Sequence, residues 1–302
     1  NFPFCTIEPN IGEVAVPDLR LKILAEIACS RKIVPTRMTF VDIAGLVKGA
    51  SGGEGLGNQF LANIREVDAV AHVLRCFDND SVVHVDGRVD PVLDAEIIEM
   101  ELMLADIESI EKRLQGLSRK VRGGEEDAVQ QERLLKVALT ALENGQPLRT
   151  ISVQDDDKKA WKNLQLLTTK PILYVCNVGE NEAKEGNAYS SQVEKMAFKE
   201  GSGIVTISAQ IEDEISKLEA DEAEMFLMEM GLAEAGLERL IKAGYDLLML
   251  ETYFTVGPKE ARAWTIKKGT KAPKAAGVIH GDFERGFIRA ETISFNDYVQ
   301  QK

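Results

Sequence analysis

The stretch Met38-Thr39-Phe40-Val41-Asp42-Ile43-Ala44-Gly45 is an apolar run of strand length that stops at an acid and a glycine. Three more such runs follow it: Ala69–Cys76, Ile172–Val178 and Gly203–Ala209, the last two started or stopped by Pro or Gly. Helical stretches separate them, Asn58–Val67 between the first two and Tyr189–Lys199 between the last two. Strands that alternate with helices build βαβ units, so the fold class is α/β with a mostly parallel sheet. In such sheets ligands sit at the carboxyl ends of the strands. Chemistry is therefore expected in the loops after Ile43, Cys76, Val178 and Ala209.

Between the second and third runs the period changes. Ile97, Met100, Leu104, Ile107 and Leu114 fall on a and d positions of a heptad, with Glu111 as the one miss. Gly123-Gly124 breaks the run, and Leu134, Leu135, Ala138 and Leu142 carry a second helix. This pattern predicts a helical hairpin inserted into the α/β domain, and helices packed on the sheet would give a similar periodicity.

The chain has 302 residues, enough for two or three domains. It is 44% hydrophobic and carries a net charge of −13, which excludes a chain-wide electrostatic grip on nucleic acid. The charge is uneven. Glu251–Lys302 holds nine Lys/Arg against six Asp/Glu, and the rest of the chain is correspondingly more acidic. The pattern changes at the same place, to short strand-like runs (Tyr253–Val256, Ala261–Ile266, Phe287–Ile293), so a domain boundary is expected near residue 250. The four cysteines form no C-x-x-C pair, which argues against a zinc ribbon or a disulfide framework and suits a reducing cytosol. No apolar run approaches the roughly 18 residues of a membrane span, and no signal peptide is visible. The chain opens at Asn1 inside what reads as a loop, as expected for a piece of a longer polypeptide.

Val41-Asp42-Ile43-Ala44-Gly45 is followed by glycines at 49, 52, 53, 55 and 57. An acid at the end of a buried strand can reach a magnesium-bound water, and the glycine amide can approach a γ-phosphate because no Cβ intervenes. A glycine-rich segment behind it suits a switch that orders on the phosphate. A mobile surface loop is the plain alternative. A dinucleotide-binding reading fails, because the glycines do not match G-x-G-x-x-G and Asp42 would repel a pyrophosphate approached without metal. Asn177-Val178-Gly179-Glu180 ends the next-to-last strand and Ser208-Ala209 the last. An amide, a carboxylate three residues on and a small turn beside them make a layout that clamps a purine base.

These segments, together with Asn1–Asn10 (N-F-P-F-C-T-I-E-P-N), Asp42–Ala50, Glu54–Asn58, Lys271–Ala276 and Gly286–Glu291, closely resemble the YchF proteins, the Obg-like ATPases, over essentially the whole chain. The resemblance implies a P-loop NTPase-type G domain over 1–93 and 144–250. It further implies an inserted α-helical coiled coil over 94–143 and a C-terminal TGS domain of β-grasp type over 251–302. It implies hydrolysis of ATP, with GTP used less well, a magnesium cofactor, a cytoplasmic location and a cycle that regulates association with the ribosome. Contacts to rRNA or tRNA would run through the TGS domain and the helical hairpin.

By the same resemblance Thr6 matches the switch threonine on magnesium, and Asp42 and Gly45 match the acid and the phosphate-sensing glycine. Leu46 stands where Ras-like proteins carry a water-positioning glutamine, and a leucine cannot polarise water. His84 matches a histidine proposed for that role. Asn177, Val178 and Glu180 match the base-specificity motif, and Ser208 and Ala209 the final base-contacting turn. One departure is severe: G-x-x-x-x-G-K-[ST], which the family carries upstream of N-F-P-F, occurs nowhere in these 302 residues. The polypeptide alone is expected to hold ATP poorly. The competing class is a non-catalytic ribosome- or RNA-binding adaptor in which the nucleotide site is structural or lost. Turnover by a chain extended upstream separates the two.

Overall fold

A computed structural model describes residues 10–43, 56–79 and 88–301, without the side chains of 56–59. Its first elements are β1 (Asn10–Ala15), α1 (Leu19–Ile27), β2 (Ile33–Val34), β3 (Arg37–Asp42), α2 (Leu56–Glu66) and β4 (Val70–Arg75). Next come α3 (Pro91–Arg122), α4 (Glu126–Glu143), α5 (Lys158–Asn163), β5 (Ile172–Asn177), α6 (Ala188–Glu200) and β6 (Gly203–Ile207). The chain continues through α7 (Ala209–Ile215), α8 (Ala220–Glu229), α9 (Gly236–Leu247), β7 (Leu250–Val256) and β8 (Ala261–Lys267). It closes with α10 (Ala272–Ile279), α11 (Gly281–Arg285) and α12 (Phe295–Gln300).

Two compact units result, one built on residues 41–236 and the other on 11–40 with 237–301. The units divide the chain elsewhere than the shift in charge near residue 250. In the second unit α9 contributes the buried Ile241, and the Tyr245 hydroxyl meets Oγ1 of both Thr36 and Thr265.

In the first unit β4, β5 and β6 form a parallel sheet in that order. Five consecutive residues of β5, Ile172–Cys176, are buried, as a central strand covered on both faces requires. Leu74, Cys76, Tyr174 and Cys176 of the sheet pack with Val193 and Ala197 of α6. Asn187 caps α6 by accepting from the Ser190 amide at 3.0 Å, and Gly201 ends it with φ +68°, a conformation open to glycine at little cost.

The helical hairpin is present, and its seam keeps Ile107 and Leu114 of the predicted heptad but not Met100 and Leu104. Asp90 caps α3 and Pro91 opens it, and the helix stops at Gly123-Gly124, about 48 Å away at 1.5 Å per residue. Met100 and Leu104 are 57% and 47% exposed, whereas Ala95, Leu102, Ala105, Asp106 and Ile110 are buried. The reason is that α3 has two different neighbours. Its first half packs on the sheet and on Leu61, Ile64 and Leu167, while Met103, Ile107, Ile110, Leu114 and Leu117 join the cluster that holds Leu134, Leu135 and Ala138 of α4. Asp106 lies on this face because it accepts from the Leu167 and Thr168 amides, each at 2.8 Å, and from the Thr168 hydroxyl at 2.7 Å. Burial pushes its pKa up, against those three bonds.

In the second unit β7 pairs antiparallel with β8, and β2 adds parallel to β8. Phe287–Ile293, expected as a strand, forms no regular element, and Ile288 is 92% exposed. No described strand pairs with it, and a strand needs a neighbour to satisfy its backbone. The glycine- and proline-bearing lysine segment also differs from a plain loop. Gly269 turns at φ +78°, Lys271 is the N-cap of α10, and Pro273 lies in its first turn, where a missing N–H costs nothing. No helix among the described residues is long and apolar enough to cross a membrane.

Candidate functional site

The loops at the carboxyl ends of β4, β5 and β6 border a half-open cavity of about 440 Å³, within the range of small-molecule sites. It is lined by Phe77, Asp78 and Asn79 after β4, by Asn177, Val178 and Gly179 after β5, and by Ala209 and Gln210 after β6. Glu182, Asn187 and Tyr189 complete the wall. Three parallel strands that end at one level bring these short loops together.

Asn177 ends β5, and its Oδ1 accepts from the Ala209 amide at the start of α7, at 2.9 Å. That bond fixes the amide plane and leaves Nδ2 as a donor with no partner among the described residues. Val178 is buried and donates its own amide to the Ile207 carbonyl at 2.9 Å, locking the loop to the end of β6. Asn187 Nδ2 donates to the Cys76 carbonyl at 2.7 Å and to Glu182 Oε2 at 2.8 Å, and Gly179 N donates to the same oxygen at 3.3 Å. At the rim the Tyr189 hydroxyl donates to both oxygens of Asp78 at 3.2 Å, and that carboxylate raises the phenol pKa.

Ser208 Oγ and Glu180 Oε1 are buried and have no hydrogen-bond partner among the described residues. Leaving a buried polar atom unpaired costs about 1–3 kcal/mol. The cavity size and the oriented Asn177 amide suit a small planar ligand with a hydrogen-bond acceptor on its edge.

The expected base-site residues are therefore brought together in part. Asn177, Val178 and Ala209 line the cavity, while Glu180 and Ser208 are not among its lining residues. Asp42 is exposed at the end of β3. Thr6, Gly45, Leu46 and His84 lie outside the described residues, as do most of the glycines from 45 to 57. Reading the sequence missed Phe77, Asp78, Glu182, Asn187 and Tyr189. Asn187-x-x-Ser190 is a helix-start signature that could have placed α6, and with it Tyr189, beside the strand ends.

Comparison with known proteins adds to this geometry. A family model described as 50S ribosome-binding GTPase matches residues 1–107. The model of a YchF GTPase C-terminal family, described as a protein of unknown function, matches residues 250–302. The chain is 52% identical over 302 residues to the ribosome-binding ATPase YchF of Escherichia coli O157:H7, covering 100% of this chain and 83% of the relative. It is 51% identical over 301 residues to the protein of that name in Bacillus subtilis (strain 168), covering 99% and 82%. The solved Schizosaccharomyces pombe YchF GTPase superposes with a TM-score of 0.80 at 38% identity, covering 95% of this chain and 78% of that one.

Proposed function

Since this chain belongs to the YchF family, we propose that it works as a nucleotide hydrolase that splits ATP in preference to GTP and uses the cycle to regulate binding to the ribosome in the cytoplasm. The observation that carries this reading is the cavity at the ends of β4, β5 and β6, with the Asn177 amide held by Ala209 N. The residue spans expected for the domains stand as part of the proposal: a G domain over 1–93 and 144–250, the hairpin over 94–143 and a TGS domain from 251.

In this reading Asn177 Nδ2 donates to the base, Val178 and Ala209 close the slot around it, and Glu180 and Ser208 supply polar atoms beside it. The hydroxyl of Thr6 and the carboxylate of Asp42 are hard oxygen donors of the kind magnesium takes. Magnesium, when bound, neutralises the phosphate oxygens and the charge that develops on them. Gly45 is assigned to the γ-phosphate by its amide, and His84 to orienting the attacking water in place of Leu46.

The adaptor reading keeps one observation on its side, Leu46 at the position expected for a water-positioning glutamine. The deciding experiment measures ATP turnover and ribosome cosedimentation with residues 1–302 and with a chain extended upstream to include a G-x-x-x-x-G-K-[ST] segment. Turnover that rises from background in the extended chain, together with nucleotide-dependent cosedimentation, is expected. Cosedimentation indifferent to nucleotide, with no turnover in either chain, would establish the adaptor.

A further inference from the structure

The outer face of α8 has no role in the nucleotide site. None of the ten residues of this helix is buried. Phe226 and Leu227 are partly covered on one side, while Met225 and Met228, one turn apart, are 71% and 69% exposed on the other. Asp221, Glu222, Glu224 and Glu229 surround the two methionines. From Glu212 to Glu234 the chain holds nine carboxylates and a single lysine, Lys217, which is paired with Asp213 at 2.6 Å.

Met225 and Met228 stand side by side on one helix face inside a rim of carboxylates. Two unbranched thioether side chains there make an apolar spot that adapts to another surface. The acidic rim selects the charge of that surface and repels a phosphate backbone. We propose that this face docks a basic amphipathic polypeptide segment, one that lays apolar side chains on Met225 and Met228 and sets lysines or arginines against the surrounding carboxylates. The interaction is of the helix-on-apolar-surface kind, with the apolar pair giving residence and the rim giving selection. It does not depend on nucleotide.

The test uses the full chain and a labelled synthetic peptide of about 18 residues, with leucines at helical i, i+3, i+4, i+7 spacing and lysines between. A peptide of the same composition in scrambled order is the control. Micromolar binding by fluorescence anisotropy is expected, with the scrambled peptide about tenfold weaker. The double variant Met225→Gln/Met228→Gln is expected to weaken binding by about tenfold, and Glu222→Gln/Glu229→Gln to flatten its salt dependence. Methyl spectra of the unaltered protein keep the test independent of the variants: the Met225 and Met228 signals should shift with the peptide and stay still with oligouridine. Equal binding of both peptides, unchanged affinity in the methionine variant, or a shift with oligouridine alone would overturn the proposal. So would methyl signals shielded from a soluble paramagnet in the free protein, because the face would then be covered by the chain itself.

Discussion

The side chain of Asn177 and the backbone of Ala209 are joined across two strand ends, Oδ1 accepting from the amide at 2.9 Å. The bond ties the end of β5 to the start of α7 and decides which half of the Asn177 amide remains for a ligand. A rotated amide would offer an acceptor; the observed one offers two N–H donors.

Asn177→Asp keeps the acceptor for Ala209 N and replaces the free donor with a carboxylate. Folding stability should stay within about 0.5 kcal/mol, while nucleotide affinity in a chain carrying a phosphate-binding loop should fall at least about tenfold. Asn177→Ala should lose the same affinity and in addition about 1 kcal/mol of stability. Thermal melts alongside titration with a fluorescent nucleotide check both; full affinity in the aspartate variant would remove Asn177 from the base site.

In the proposed reading nucleotide choice turns on Glu180. GTP-binding relatives end the base motif in Asp, whose carboxylate accepts from guanine N1–H and the 2-amino group, and the extra methylene of Glu180 spoils that geometry. In the structure Glu180 is not among the lining residues of the cavity, and its Oε1 is buried without a partner among the described residues. ATP should outcompete GTP by a modest factor of about ten, and Glu180→Asp should shift the balance toward GTP. Competition of both nucleotides for one fluorescent analogue reads the ratio, and preference for GTP in the unaltered protein would falsify the assignment.

Lys267, Lys268, Lys271 and Lys274 are all exposed, at the end of β8 and the start of α10. Replacing all four with Gln should weaken ribosome cosedimentation and reduce its slope against salt. Binding that is unchanged would move the contact to the helical hairpin.

Stability should also carry a signature of His72, on β4. Burial and the Arg149 guanidinium lower its pKa to about 4, with the Tyr174 ring 5.9 Å away and Arg149 itself held by Glu99 at 2.9 Å and Glu200 at 3.2 Å. In the unfolded chain the imidazole takes up its proton near pH 6.5, in the folded chain only near 4. The unfolded state therefore binds more protons between those values, and stability should fall as pH drops from 6.5 to 4. The loss is at most about 3 kcal/mol, and smaller because His72 keeps partial solvent contact. Urea unfolding of the unaltered protein and of His72→Gln should show this slope in the first and much less in the second.

Local pattern was sufficient for β3, β4, β5 and β6, whose bounds agree with the apolar runs to within about two residues. Only β5, the central strand of the parallel sheet, is buried on both faces and so writes itself as a continuous apolar stretch, whereas β3 lies outside that sheet and pairs with β1. The turn at Gly123-Gly124 was legible for a similar reason, since glycines break a helix wherever they fall together. The amide ending β5 was legible as a cavity residue because strand ends are where parallel sheets hold ligands, whereas the acid ending β3 stands outside that sheet and does not line the cavity.

What the sequence alone determined is thus the set of elements and the loops that matter. Which face of α3 is buried, the pairing of β2 with β8 and the closing of Asn187 and Tyr189 around the cavity were decided by tertiary structure. Periodicity records that a helix has an inner face but not how many neighbours share it; α3 turns one part toward a sheet and another toward α4, and a buried acid at 106 belongs to that face only because two amides and a hydroxyl 61 and 62 residues away need an acceptor. Partners that distant leave no period in the chain, because their spacing is set by the path of the backbone through space and not by the repeat of any one element.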